Sequence, residues 1–225
     1  MMKISGTDID YRRLTTPRAA AVAGILFSLL FTTCLILLRT AIPADPYSGT
    51  DWIEQGTQRI TIALELIPFA GIAFLWFIGV VRDRLGRYED QFFSTVFFGS
   101  GLLFLAMVFI SMAIAGGMVA GYRLNPRITL DSRVIYFTRA LMIELSNVYA
   151  LRMAGVFMLS LGTIWWRTGL MPRWLVILTY LLAVSLLFII NLSLWVTLIF
   201  PAWVLIISVE TLVLNMKRLT GGKAF

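Results

Sequence analysis

The chain has 225 residues, of which 59% are hydrophobic and only 14% charged, with a formal net charge of +7 and a mean hydropathy of +0.86. A soluble domain of this size cannot cover so much apolar surface, whereas lipid solvates it, so the composition excludes an ordinary soluble fold. The basic surplus then reads as the Lys/Arg excess of cytoplasmic loops rather than as a nucleic-acid-binding surface.

The expected fold is all-α: a polytopic transmembrane helical bundle forming a single membrane domain over 1–225, with no nucleic-acid partner. A span needs roughly 20 apolar residues to cross about 30 Å of hydrocarbon. Residues 1–18 are polar and contain arginines. The apolar run that follows, Ala19 to Leu38, exceeds the ~7–15-residue core of a signal peptide, so a first span is expected at 19–40. Pro43, Pro46, Gly49 and Gly56 mark 41–59 as a loop, within which Asp51 to Arg59 is a candidate interfacial helix anchored by Trp52. The second span, 60–81, contains Glu65 and Pro68. A turn at 82–91 carries three arginines and three carboxylates.

The third span, 92–121, has no charged residue and is long enough to tilt. Ala113, Gly117 and Gly121 recur in it at four-residue spacing, a pattern that lets helix backbones approach closely and marks a candidate surface for homo-oligomers. The loop 122–133 contains three arginines. Residues 134–166 then read as one long helix, or as an interfacial helix leading into a fourth span at 145–166. A basic turn at 169–173 precedes spans at 174–190 and 195–215, and Pro201 falls in the first turns of the last. With the N-terminus inside, twelve Lys and Arg face the cytoplasm and five (Arg39, Arg59, Arg123, Arg127, Arg133) the other side. Both termini are therefore expected to be cytoplasmic. Trp52, Trp165, Trp166, Trp174 and Trp195 fall near span ends, as interfacial anchors do.

The chain has no histidine and one cysteine, Cys34. That removes His-ligated haem, His-based zinc sites and Ser-His or Cys-His catalysis. No cofactor, metal site or catalytic residue is expected.

Ionisable groups within membrane spans are costly and mark functional candidates. Glu65 is the first: a buried carboxyl there would carry a proton or bind a cation. Glu144, Asn147 and Arg152 form a second constellation. At 100° per residue Glu144, Leu151, Gly155 and Gly162 share one stripe, giving a polar cap above a glycine-floored groove. The expected structural role is an Arg152–Glu65 or Arg152–Glu144 pair. The functional counterpart is an anion or headgroup site at Arg139 and Arg152.

The segment Gly79-Val80-Val81-Arg82-Asp83-Arg84-Leu85-Gly86-Arg87 resembles the cytoplasmic loop signature of the major facilitator superfamily, with Asp83, Arg84 and Arg87 at its charged positions. It departs from that pattern at Tyr88, where a further basic residue is usual. More broadly, the block from Pro68 to Phe104, Tyr149 to Met153 and Gly169 to Leu175 is similar to a family of uncharacterised bacterial six-span membrane proteins. That resemblance implies a multi-pass protein of the cytoplasmic (inner) membrane and carries no activity. Transport of a small solute or ion, using Glu65 and Arg152, is the leading functional expectation. A non-catalytic scaffold or accessory subunit, possibly a homo-oligomer, is the alternative, and an intramembrane enzyme acting on lipid the third.

Overall fold

The computed structural model describes residues 17–43, 51–85, 91–124, 132–188 and 194–221. Among these the regular structure is entirely helical. The helices are α1 (Pro17–Ala41), α2 (Asp51–Leu85), α3 (Gln91–Leu124) and α4 (Ser132–Ile143), the last continuing through a π-helical segment (Glu144–Ala150) into α5 (Leu151–Thr168). Then come α6 (Arg173–Phe188), a short 3-10 turn (Leu194–Leu198) and α7 (Ile199–Gly221).

Five of these helical runs are long and apolar enough to cross a membrane: Ala19–Ala41, Trp52–Arg82, Phe92–Leu124, Arg133–Thr168 and Trp195–Leu214. The chain is therefore a multi-pass membrane protein by length and composition. The run Arg173–Phe188 is apolar but shorter.

Two boundaries differ from the sequence reading. Asp51 to Arg59 is not a separate interfacial helix but the first turns of α2, a continuous helix of 35 residues. Gly56, read from sequence as a loop signal, permits a close helix approach instead: a Cβ there would lie 2.9 Å from the carbonyl oxygen of Ala41. At the other end α2 runs on through Asp83 and Arg84 to Leu85, into the expected turn, while Arg87 lies outside the described residues. Of the two alternatives left open for 134–166, the structure has the single long helix: Ser132 to Thr168 is one uninterrupted helical run, of which only the π segment departs from α geometry.

The helices alternate up and down. At one end α2 stops, α3 starts and α5 stops: Arg82 stacks 4.5 Å from the ring centroid of Phe98, and Arg167 4.9 Å from that of Phe93. Such cation–π contacts suit a guanidinium at an apolar boundary. Gly169 ends α5 in the left-handed conformation (φ 64°), its N–H donating to the carbonyl of Trp165 at 2.9 Å. An L side chain at that position would be strained. On the same half of the molecule Gly24 of α1 lies so close to α7 that a Cβ would collide with the Ser208 hydroxyl.

Lipid removes most of the hydrophobic drive between helices, so association rests on packing and internal hydrogen bonds. The packing is concentrated in an aromatic cluster at the centre. Phe74 is fully buried and its ring lies 4.6 Å from Phe27, 5.4 Å from Phe104, 5.6 Å from Phe157 and 5.8 Å from Phe200 (centroid distances). Phe104 and Phe200 stand 4.6 Å apart, and Trp203 extends the cluster from Phe200 at 5.9 Å. Such pairs add about 0.5–1.5 kcal/mol each beyond burial. The buried Trp203 Nε1 donates to Thr179 Oγ1 at 2.9 Å, so no indole donor is stranded.

Phe74→Ala is expected to lower unfolding stability by about 3 kcal/mol, measured by SDS titration, because it empties the centre of the cluster. Phe188→Ala, at a residue 81% exposed, is expected to change it by less than ~0.5 kcal/mol.

Candidate functional site

At the opposite end of the bundle, three arginines converge on the C-terminus of α1. The last carbonyls of a helix have no intrahelical donors and form its negative pole. Arg59 Nη1 donates to the Thr40 carbonyl at 2.9 Å, and Arg139 Nη2 donates to the Pro43 carbonyl at 2.7 Å. Arg39, in the last turn of α1, donates from Nη2 to Asn147 Oδ1 at 2.8 Å. Ser146 Oγ donates to the same oxygen at 3.1 Å. Arg139 and Asn147 are both buried.

The π segment explains how Asn147 reaches Arg39. A π-helix closes its hydrogen bonds one residue later than an α-helix, and such turns are frequent at functional sites. The wider turn breaks the 100° register assumed from sequence. Leu151, Gly155 and Gly162 do face inward, but Glu144 is turned to the surface and Asn147 takes the inward position. Nor is the glycine face an open groove. α6 occupies it: a Cβ on Gly155 would meet Ala183 and Leu187, and one on Gly162 would meet Thr179.

Arg39 also lines a partly open pocket of about 40 Å³. Ser111, Ser146 and Thr197 share the polar part of its wall with Arg39; no carboxylate lines it among the described residues. The rest is apolar, from Leu38 and Ile42 near Arg39 down to Phe31 and Phe104. These two rings, 5.7 Å apart, belong to the aromatic cluster and close the inner end. The Nε of Arg39 is buried and makes no hydrogen bond, and the charge of Arg139 acts on Arg39 from nearby. The pocket therefore has a cationic end.

Of the residues singled out from sequence, Asn147 and Arg139 belong to this site. Glu65, Glu144 and Arg152 do not: all three are exposed, and neither Arg152–Glu65 nor Arg152–Glu144 forms. Register explains the first. Leu64 lies against Gly116, whereas Met142 accepts a hydrogen bond from Ser111, and Phe157 lies against Gly101. Interpolation puts Glu65 and Arg152 about ten residues, or ~15 Å, apart along α3. Ala113 and Gly117 are exposed and Gly121 is half-buried; no atom of another helix lies within 4 Å of a Cβ built at Gly117. The close approach falls to their neighbour Gly116, against Leu64.

The residue that the sequence reading missed is Arg39, taken there as the boundary of the first span. One signal was available: Arg39 is the first charge after a long uncharged run and sits where few basic residues were expected. No known protein family, curated protein or solved structure matches the chain.

Asn147→Leu removes the acceptor of a largely desolvated guanidinium and is expected to cost about 1–3 kcal/mol of unfolding stability by SDS titration. Arg152→Gln, at an exposed and unpaired position, is expected to stay within ~0.5 kcal/mol.

Proposed function

We propose that this chain is a six-span protein of the bacterial inner membrane, with both termini cytoplasmic, that takes up an anionic solute in the Arg39 pocket. The observation that carries the reading is the largely desolvated Arg39 on the wall of a pocket that no described carboxylate lines. A desolvated guanidinium favours an oxyanion, which it engages through charge-assisted hydrogen bonds. Glu144 faces away from the pocket, so no described carboxylate stands ready as a general base, which supports binding rather than lipid hydrolysis.

Transport is the use such a pocket suits best. Phe31 and Phe104 close it towards the middle of the bundle, as in one state of an alternating-access cycle. The orientation rests on basic residues: with Arg139 and Arg152 added to the pocket side, the count is twelve against seven of the nineteen Lys and Arg. A scaffold role, as a homo-oligomer or accessory subunit, is the second reading, favoured by the outward-facing Ala113 and Gly117 on α3.

Two measurements test this reading. Carboxylates, added as sodium salts against sodium chloride at matched ionic strength, are expected to raise the unfolding temperature of the wild type and leave Arg39→Gln unmoved. An equal rise in both proteins would remove the pocket from the explanation. For orientation, Gln55→Cys on the exposed first turns of α2 should react with a membrane-impermeant maleimide in intact cells. The native Cys34, fully buried, should react only after denaturation. Protection of Gln55→Cys in intact cells, with labelling after lysis, would reverse the topology.

A further inference from the structure

We infer that the ligand of the Arg39 pocket is a small, planar monoanion: a carboxylate or bicarbonate of about three or four non-hydrogen atoms. This rests on the pocket being an anion site, and goes further by setting the size and charge of the ion it accepts.

Size follows from the volume. The pocket measures about 40 Å³, far below the ~300–1,000 Å³ of ordinary small-molecule sites. A water molecule needs roughly 10–15 Å³ of such space, so the pocket has room for about three. Its floor is stiff. Phe104 is held in the aromatic cluster, 4.6 Å from Phe200 and 5.4 Å from Phe74 (centroid distances). Phe31 packs against it, and Val108 in the wall is buried as well. A longer chain on the anion would have to displace these packed side chains.

Charge follows from the donors. The Nε of Arg39 is buried and its Nη2 already donates to Asn147, so only the other Nη hydrogens remain for a ligand. Ser111 gives its hydrogen to the Met142 carbonyl, and Ser146 gives its own to Ile143 or Asn147. Neither therefore helps to hold a second negative charge. Arg139 reinforces the positive field without lining the pocket. The edge of one guanidinium matches one carboxylate-type group, planar against planar. Sulfate brings a second charge and further oxygens for which Arg39 has no hydrogens to give, and an anion desolvated without its hydrogen bonds is costly. Chloride has no pair of oxygens to meet the fork. The same chemistry has two sources: a one- or two-carbon organic acid, and inorganic bicarbonate.

The test uses the full chain in nanodiscs of phosphatidylcholine. Apparent affinities are taken from the rise in unfolding temperature against sodium chloride at matched ionic strength. The sodium salts compared are formate, acetate, butanoate, hexanoate, bicarbonate and sulfate. Formate and acetate are expected to bind at least about tenfold more tightly than butanoate and hexanoate, the penalty of overpacking. Sulfate should give no shift beyond that of chloride. Arg39→Gln should abolish the formate and acetate shifts. Val108→Ala, which enlarges the pocket and leaves Arg39 intact, should move the size limit towards butanoate while formate still binds. Either variant suffices if the other fails to fold.

Butanoate and hexanoate equal to acetate, with all three lost in Arg39→Gln, overturns the size limit and leaves the anion site standing. Sulfate matching acetate, again only with Arg39 present, overturns the restriction to a monoanion. No shift with any of the anions overturns both the inference and the anion site. Bicarbonate binding more tightly than formate and acetate identifies the inorganic source, and the reverse order the organic acid. Both orders support the inference.

Discussion

The constraint on which this structure turns is the C-terminus of α1. Inside a bilayer no water is available for the last carbonyls of a helix, so the protein must supply donors. It does so with the guanidinium of Arg59 from α2, which donates to the Thr40 carbonyl, while Arg139 from α4 holds the Pro43 carbonyl just beyond the helix end. Arg39, on α1 itself, is drawn by Asn147 towards the π segment. These bonds tie the end of α1 to α2, α4 and the π segment in one layer. The negative pole of α1 makes gathering several cations there tolerable. It also explains why the supposedly arginine-poor side of the protein holds so many: they satisfy a helix end rather than meet headgroups alone.

The aromatic cluster and the pocket adjoin each other. The cluster is built from interlocking rings around Phe74, where large side chains meet at 4.6–5.8 Å. The pocket lies beside it, lined by residues of α1, α3 and the π segment. Phe31 and Phe104 belong to both, as members of the cluster and as floor of the pocket. Ligand chemistry is thus confined to a small layer over a base that packing makes stiff.

How much of this could be read beforehand follows from the physics of each signal. Span positions depend on hydropathy summed over many residues, and five of the six expected ones have a long apolar helix in place; at the expected 174–190 the described helix Arg173–Phe188 is shorter, and the second and fourth runs start well before the expected ends. Gly56 misled because glycine serves both turns and tight helix contacts, and only the position of Ala41 tells which. Glu65 and Arg152 misled because the reading assumed that intramembrane charges face inward, whereas helix rotation turns both out. The site itself hinged on a change of helical pitch between Glu144 and Ala150. Nothing in that stretch signals a π turn by residue type, since its reward lies in a bond to Arg39, more than a hundred residues away in sequence.

The length of α3 has a consequence for the surrounding lipid. Its uncharged stretch, 92–121, is about 45 Å long, well beyond the ~30 Å of bilayer hydrocarbon. Acyl chains beside α3 must stretch, or the helix must lean among them. That mismatch gives the protein a preference for thicker bilayer, independent of anything it binds.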